Sequence, residues 1–406
     1  MHIAYLNPSA QLGGAEVALL DMLASIRLTA PNWKLELLAS GEGPLPVKAR
    51  LLGVTVTVLP FPRAISQLGD AQASSSAKGN SKWGLFIRLV LAAPFIAAYA
   101  IRLRMTLRRI SPDVIHTNGF KMHILGALAK PANATLIWHI HDFVSRRPLV
   151  SRLIRLLHGR ASIVLSNSNS VRADIESVCG DSVVVQTLYN AVDTDVFSPT
   201  GPRLDLDALA GLPPAEAGSV RVGMVATFAR WKGQEIFMRA LRHLSAGPHL
   251  RGYIIGGALY ETDGSQYSLD ELKAIAREHG ISSRLGFTGF VEDAAAALRS
   301  LDIVVHASTE PEPFGLVIIE SMACGRAVIV SDAGGASELF DAGITAVGHK
   351  PGDAVQLAEC ITTLANDPRL RTRLGAAGRV AAERRFNSRR LAFDLIPIYQ
   401  NLQASI

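Results

Sequence analysis

Glu312-Pro313-Phe314-Gly315-Leu316-Val317-Ile318-Ile319-Glu320 sets two acids eight positions apart. The first stands in a loop bracketed by Pro311 and Pro313, and the second lies inside an apolar run. Residues 316–324 are long enough for about three helical turns, and Gly325-Arg326 ends them before another apolar stretch. Glu320 is the only charged group in that run. Burying a carboxylate without partners costs several kcal/mol, so Glu320 should face something able to hydrogen-bond it. The turn Phe314-Gly315-Leu316, running on into Val317, presents unpaired backbone N–H groups at the helix start, where anions bind readily. One acid at the mouth, one along the helix and a phosphate-friendly terminus between them suggest a sugar nucleotide. Spacing alone is also met by a loop acid followed by the acid of an amphipathic helix.

The neighbouring residues add to this. Ser321-Met322-Ala323-Cys324-Gly325-Arg326-Ala327-Val328-Ile329-Val330 follows the second acid, and Gly334-Gly335-Ala336-Ser337-Glu338 comes next. Residues 302–338 as a block resemble the retaining glycosyltransferases of family 4, which have the GT-B fold, and the likeness extends over essentially the whole chain. The resemblance implies an α/β architecture: two Rossmann-like, doubly wound parallel-sheet domains facing an interdomain cleft. It implies an acceptor-side domain over 1–198, a nucleotide-sugar donor domain over 199–385 and a last helix, 386–406, crossing back to the first domain.

Bulk properties agree with two globular domains. At 406 residues the chain is too long for one ordinary core, and 49% hydrophobic with 19% charged residues is a folded composition. The three cysteines, Cys179, Cys324 and Cys360, are far apart and lack metal spacing, so a reducing, cytoplasmic compartment is the simplest. Residues 1–6 read as a strand, with no charged n-region and apolar h-region of a leader. Net charge is +6 and unevenly placed: residues 83–110 hold five arginines and no acid, and so do residues 143–160. Residues 85–101 are apolar but interrupted by Arg88 and Pro94, and fall short of a spanning helix. They form either a helix resting peripherally on an anionic membrane, on its inner face, or a core helix with a solvated basic edge. No RNP, zinc-finger or helix-turn-helix signature accompanies the basic stretches, which argues against nucleic acid as partner.

Taken in order, the strand His2-Ile3-Ala4-Tyr5-Leu6 leads to Gly13-Gly14-Ala15-Glu16 and a periodic helix. A glycine pair between strand and helix lets backbone approach a ligand, although the G-x-G-x-x-G fingerprint is absent. The resemblance gives Gly13 and Gly14 an acceptor-side or donor-phosphate contact; a plain tight turn is the alternative. Strand-like runs follow at 35–38 and 54–58, and residues 64–82 shift to Ser, Ala, Gly and Gln, as in a mobile loop. Residues 113–118 and 134–139 read as parallel strands ending in polar groups, which makes His116, Asn118, His139 and His141 candidates for a ligand-facing strand end. Residues 162–168 and 183–185 supply two more strands. His141-Asp142 matches the family's His-Asp position, so His141 would by resemblance reach the donor sugar. Asn190-Ala191-Val192-Asp193 resembles the family's N-G-V-D turn, with Ala191 in place of glycine.

Two D-x-D triplets, Asp193-Thr194-Asp195 and Asp205-Leu206-Asp207, sit in a proline-marked linker where aspartates shape turns. They lack further ligands, so no metal is expected. The second domain opens at the strand 220–225, and Thr227-Phe228-Ala229-Arg230-Trp231-Lys232-Gly233 follows. A lysine and an arginine in such a loop can clamp a diphosphate, the one as a point charge and the other as a fork. The family pairs this lysine with an arginine five positions earlier; here that place holds Thr227, and Arg230 is the available substitute. Tyr253-Ile254-Ile255-Gly256-Gly257 is a strand ending in glycines, which places Gly257 near a nucleotide. Residues 285–291 and 302–308 read as strands, and 327–331 closes the set. The backbone near Phe290 and Val291 would by resemblance touch the base. After Asp353 the chain reads as helical.

Together these imply transfer of a sugar from a nucleoside diphosphate sugar, UDP- or GDP-linked, to an acceptor hydroxyl with retention at the anomeric carbon and no cofactor. Lys232, Arg230 and the amides of Gly315 and Leu316 would stabilise the leaving diphosphate. Glu320 would bind the ribose and Glu312 a hydroxyl of the donor sugar. Polysaccharide or lipid-linked acceptors fit the basic first domain. A sugar-nucleotide epimerase of the same fold and an inactive nucleotide-sugar-binding scaffold, the latter motivated by Thr227 and Ala191, are the competing functions.

Overall fold

In a computed structural model the chain is described over residues 1–66, 82–180, 182–244, 250–258 and 265–404, of which 66 and 82–90 by backbone alone. Most of residues 64–82, read from composition as a mobile loop, lies outside that description. It divides into two compact units: Met1–Asn190 with Ser388–Ile406, and Ala191–Asn387.

The first unit is a parallel sheet of seven strands: β1 (His2–Asn7), β2 (Lys34–Ala39), β3 (Thr55–Val58), β4 (Val114–Asn118), β5 (Thr135–Ile140), β6 (Ile163–Ser166) and β7 (Val185–Thr187). Their order is β3-β2-β1-β4-β5-β6-β7. β4 and β5 are buried along their whole length, as central strands of a parallel sheet are, and they carry His116, Thr117, Asn118 and His139 into the interior with them. Strand order reverses between β1 and β4, whose carboxyl ends carry Asn7 and Asn118. The chain's last helix, Arg390–Ala404, belongs to this unit. It packs on the helix Gly14–Thr29, where Ser25 Oγ donates to the carbonyl of Arg389 (3.2 Å) and accepts from the amide of Ala392 (3.0 Å).

The basic, apolar stretch becomes the helix Lys82–Ile110. Ala92, Tyr99, Leu103 and Leu107 recur on one face and are buried, the two leucines contributing about 1.5–3 kcal/mol each. The opposite side exposes Leu91, Phe95, Ile101 and Met105. Among the described residues no helix is long and apolar enough to cross a membrane.

The second unit is a parallel sheet of six strands: β8 (Val220–Val225), β9 (Leu250–Ile255), β10 (Leu285–Gly289), β11 (Ile303–His306), β12 (Ala327–Ser331) and β13 (Val347–His349). The order is β10-β9-β8-β11-β12-β13, so the reversal falls between β8 and β11. β12 does not close the set as expected from the sequence; β13 pairs with it through Val347, Gly348 and His349, a strand too short to show a period.

Three aspartates of the two D-x-D triplets serve the local fold. Asp193 Oδ1 accepts the amides of Asp195 and Val196 in a turn, and Asp205 caps the helix Leu206–Leu209. Burial works against the charge of Asp207. Bonds from Tyr253 (2.7 Å), the Ala215 amide, Arg251 (2.9 Å) and Arg221 (3.2 Å) outweigh it and hold the carboxyl at about 2. That cluster ties the linker to the amino ends of β8 and β9.

Candidate functional site

In open parallel sheets ligands bind beyond the carboxyl ends of the strands, where the order reverses. In the second unit that place lies beyond β8 and β11. β8 leads to a single 3-10 turn, Arg230–Lys232, and β11 to His306, Ser308 and the Glu312 loop. Gly233 fixes how closely these meet: its φ is +84°, and a Cβ there would stand 1.9 Å from the carbonyl oxygen of Ala307. The amide of Thr309 donates to the Trp231 carbonyl at 2.8 Å, closing the two loops together.

Lys232 Nζ consequently donates to both oxygens of Glu312, at 2.9 and 2.8 Å. Ser308 Oγ donates to Glu312 Oε2 at 2.8 Å, and His306 Nε2 lies 3.1 Å from that hydroxyl and 3.2 Å from the same carboxylate oxygen. Because the hydroxyl proton is directed at Glu312, the network assigns the imidazole hydrogen to Nε2. Burial alone would raise the pKa of Glu312, but the Lys232 charge and the His306 bond overcome it and hold the carboxyl well below the usual range. The backbone of Glu312 is pinned as well, its carbonyl accepting the Gly335 amide at 2.7 Å. Glu312 is thus a fixed anion.

Glu320 is the opposite case. Gly315, at φ +100°, turns the chain into the helix Leu316–Ala323, and Glu320 stands on that helix, half-buried. Among the described residues its carboxylate has no hydrogen-bond or ion-pair partner, and burial pushes its pKa up to about 7. The amides of Gly315, Leu316 and Val317 likewise have no acceptor among the described residues. Phe314 is buried behind them against Phe386, ring centroids 6.3 Å apart. One turn of backbone donors therefore lies between a carboxylate already paired with a lysine and one left open.

Arg230 is held elsewhere, its guanidinium 2.8 Å from Glu271 and stacked 4.2 Å above the Tyr267 ring. Gly257 follows β9 and takes the Phe228 amide on its carbonyl at 3.0 Å. A Cβ at Gly257 would stand 2.8 Å from the ring of Phe290, an exposed aromatic, while Val291 packs into the core.

In the first unit, Gly13 and Gly14 start the helix Gly14–Thr29, but the Gly13 amide is already taken by Glu16 Oε2 at 3.1 Å. Asn7 joins Glu16 (3.2 Å) to Asn118, which donates to Asn7 Oδ1 at 2.8 Å, so the reversal point of this sheet is braced by a buried polar network. His116 and His139 are interior groups. His116 Nδ1 meets Tyr399 Oη at 2.8 Å, and that hydroxyl lies 3.2 Å from Tyr5 Oη. His139 contacts the rings of His116 (5.3 Å) and His141 (4.1 Å). Burial pushes His141 down to about 4, which leaves a neutral ring at pH 7, with no hydrogen-bond partner on either nitrogen among the described residues. Asp142 pairs with Arg147 at 2.8 Å.

Sequence reading joined Lys232 to a phosphate and Glu312 to a sugar without seeing them as a pair, and it missed His306, Ser308 and Glu16. The available signal was the i, i+2 placement of His306 and Ser308 at a strand end, which sends both side chains to one face.

The parallel-sheet unit thus sets a paired lysine and acid, free amides and an open carboxylate beyond its reversal point. Two families match: the one described as Glycosyl transferases group 1 over residues 214–381, and Glycosyltransferase Family 4 over residues 45–196. The chain belongs to glycosyltransferase family 4 and has the GT-B fold. It is 29% identical to a GDP-mannose-dependent alpha-(1-6)-phosphatidylinositol monomannoside mannosyltransferase of Mycolicibacterium smegmatis, over 63% of this chain and 68% of that one. It is 31% identical to a D-inositol 3-phosphate glycosyltransferase of Mycobacterium tuberculosis, over 54% of this chain but only 45% of that protein's length. Among solved structures, Anabaena HepE in complex with UDP-glucose has 25% identity and a TM-score of 0.78, covering 99% of this chain and all of that one.

Proposed function

We propose that the chain transfers a sugar from a nucleoside diphosphate sugar to an acceptor hydroxyl, with retention at the anomeric carbon. The observation that carries this is the line Lys232–Glu312, free amides 315–317, unpartnered Glu320. A sugar, a diphosphate and a ribose present complementary groups in that same order. Glu320 accepts from the ribose hydroxyls, and the amides and the third N–H of Lys232 meet the phosphates. Glu312, fixed in place, accepts from a hydroxyl of the sugar at Oε1, which only Lys232 otherwise occupies. As the bond from the anomeric carbon to phosphate oxygen breaks, charge gathers on the leaving diphosphate, where fixed donors stabilise it more than in the ground state. Glu312 is committed to Lys232, His306 and Ser308, which favours same-face attack over a covalent glycosyl-enzyme. The acceptor oxygen bonds to the anomeric carbon, and its proton passes to the departing phosphate oxygen.

HepE was solved with UDP-glucose and the mycobacterial relative is named for GDP-mannose, so both bases belong in the test. In a thermal-shift screen one UDP- or GDP-sugar should raise Tm by several degrees, since a donor at about 100 times its Kd adds about 2.7 kcal/mol. Product analysis should then give the donor's anomeric configuration. No shift with any nucleotide sugar would end the reading, and an altered sugar formed without acceptor would replace it with epimerisation.

The acceptor side is proposed to work at an anionic membrane surface, in polysaccharide or glycolipid assembly. Exposed Leu91, Phe95, Ile101 and Met105 share the helix Lys82–Ile110 with exposed Arg102, Arg108 and Arg109, and no acid lies in residues 83–110. The protein should co-sediment with anionic vesicles at low salt and not with neutral ones; equal recovery from both would refute this.

A further inference from the structure

The second unit has another end. β11 and β12 run parallel from Asp302 and Arg326 toward His306 and Ser331, so the residues that precede them lie a strand's length, roughly 15 Å, from the carboxyl-end site. There the structure has a cavity of about 550 Å³, within the size range of small-molecule sites. Arg326, Arg371 and Arg379 line it, with Asp302, Thr372 and Pro199.

The three guanidinium groups are anchored through backbone carbonyls. Arg326 donates Nε to Cys324 (3.0 Å) and Nη1 to Leu301 (3.3 Å). Arg371 gives Nη1 to the carbonyls of Leu364 and Ala365, and Arg379 gives Nη1 to those of Thr194, Phe197 and Ala323. Carbonyls orient a guanidinium but leave its charge uncompensated. Only Arg379 has a carboxylate, Glu383 at 2.7 Å; among the described residues Arg326 and Arg371 have no ion pair. Asp302 is the one acid in the wall, and its Oδ2 already accepts the Arg221 amide at 2.8 Å. Burial, and then the charge of Arg203, lower the pKa of Arg326, with Cys324 and Asp302 opposing and Arg299 acting in the same direction as Arg203. Each of the three keeps an Nη2 with no hydrogen bond among the described residues. Rigid forks with one edge fixed and one edge open suit the oxygens of a phosphoryl group.

We propose that this cavity is a second ligand site, separate from the donor site, for a small phosphoryl-bearing molecule. The phosphate sits on the open edges of Arg326 and Arg371, and the remaining volume accommodates what the phosphate is attached to. The test is calorimetric titration of the full chain with pyrophosphate and, separately, glucose 6-phosphate. Pyrophosphate should bind at two sites per chain. Lys232→Ala should abolish one of them and Arg371→Gln the other. Thr372→Glu, a change at an exposed helix position that adds a competing carboxylate, should weaken the second site at least tenfold without touching the first. Glucose 6-phosphate binding in the Lys232→Ala protein identifies a phosphate monoester as sufficient; pyrophosphate alone binding there identifies an inorganic polyphosphate. A single site lost in Lys232→Ala, or a second site unchanged in both Arg371→Gln and Thr372→Glu, overturns the proposal and leaves the donor site standing. A single site that is lost in Arg371→Gln and unaffected by Lys232→Ala does the reverse.

Discussion

Lys232→Ala should lower the transfer rate at saturating donor by about 10² or more, the scale of removing one fixed electrostatic stabiliser from a developing anion. The same change leaves Glu312 buried beside Ser308 and His306 with its counter-charge gone, which costs about 3–5 kcal/mol of stability when a buried pair loses one partner. Thermal unfolding therefore has to be measured beside the rate. Lys232→Ala combined with Glu312→Gln removes the stranded charge, so that protein should recover most of the lost stability and none of the activity. A destabilised enzyme and a disarmed one are told apart in this way. Lys232→Arg should not rescue turnover, because a planar fork cannot reproduce a point charge seated between Glu312 and the Trp231 ring, 4.1 Å from its centre. Arg230→Ala, which breaks a half-exposed pair with Glu271 and a stack on Tyr267, should cost far less activity. If Lys232→Ala turns over within about threefold of wild type, the lysine does not hold the diphosphate.

The fold was legible because its signals are local. Continuous apolar runs such as residues 220–225 and 327–331 come out as strands with the expected bounds, and the helix after Gly315 ends one residue from its expected limit. β7 falls two residues later than expected, since Val183, Val184 and Val185 are equally good strand formers and only pairing with Val164 chooses among them. β13 was invisible for want of length. The site divides along the same line. Glu312, Glu320 and Lys232 could be named one by one, each from its neighbours in sequence. That Lys232 and Glu312, 80 residues apart, form one ion pair depends on Gly233 approaching Ala307, a long-range contact that leaves no period in the chain. The same holds for Arg230: its spacing from Lys232 suggests a clamp, and only the fold shows it stacked on Tyr267. The arginines at the other end of the sheet, scattered from 326 to 379, had no reason to be read together.

Glu320→Gln should separate what the helix loses in stability from what it gains in recognition. Burial holds this carboxyl at about 7 in the folded protein, against a model-compound value of 4.5, so between those values the native state binds a proton that the unfolded chain does not. The contribution of Glu320 to stability is then greatest below about pH 4.5 and is lost as pH rises toward 7, by about 2–3 kcal/mol with the side chain in place. The glutamine variant carries no such penalty: the difference between its unfolding free energy and that of wild type, in which the buried histidines cancel, should shift in the variant's favour across that window and leave the variant the more stable at pH 8. Nucleotide binding should move the other way. A ribose diol donates two hydrogen bonds to an ionised carboxylate, whereas an amide offers one oxygen, and bonds to charged groups are worth about 1.5–3 kcal/mol; UDP or GDP, whichever the protein takes, should bind ten- to a hundredfold more weakly. Because the diol selects the ionised form, wild-type affinity should tighten as pH rises from 6 to 8, with up to about half a proton released at pH 7 when titrations in buffers of different ionisation enthalpy are compared. In Glu320→Gln that release and the pH dependence should both vanish. A variant that is stabilised at pH 8 yet binds nucleotide as tightly as wild type would show that the open carboxylate costs the fold something and does nothing for a ribose.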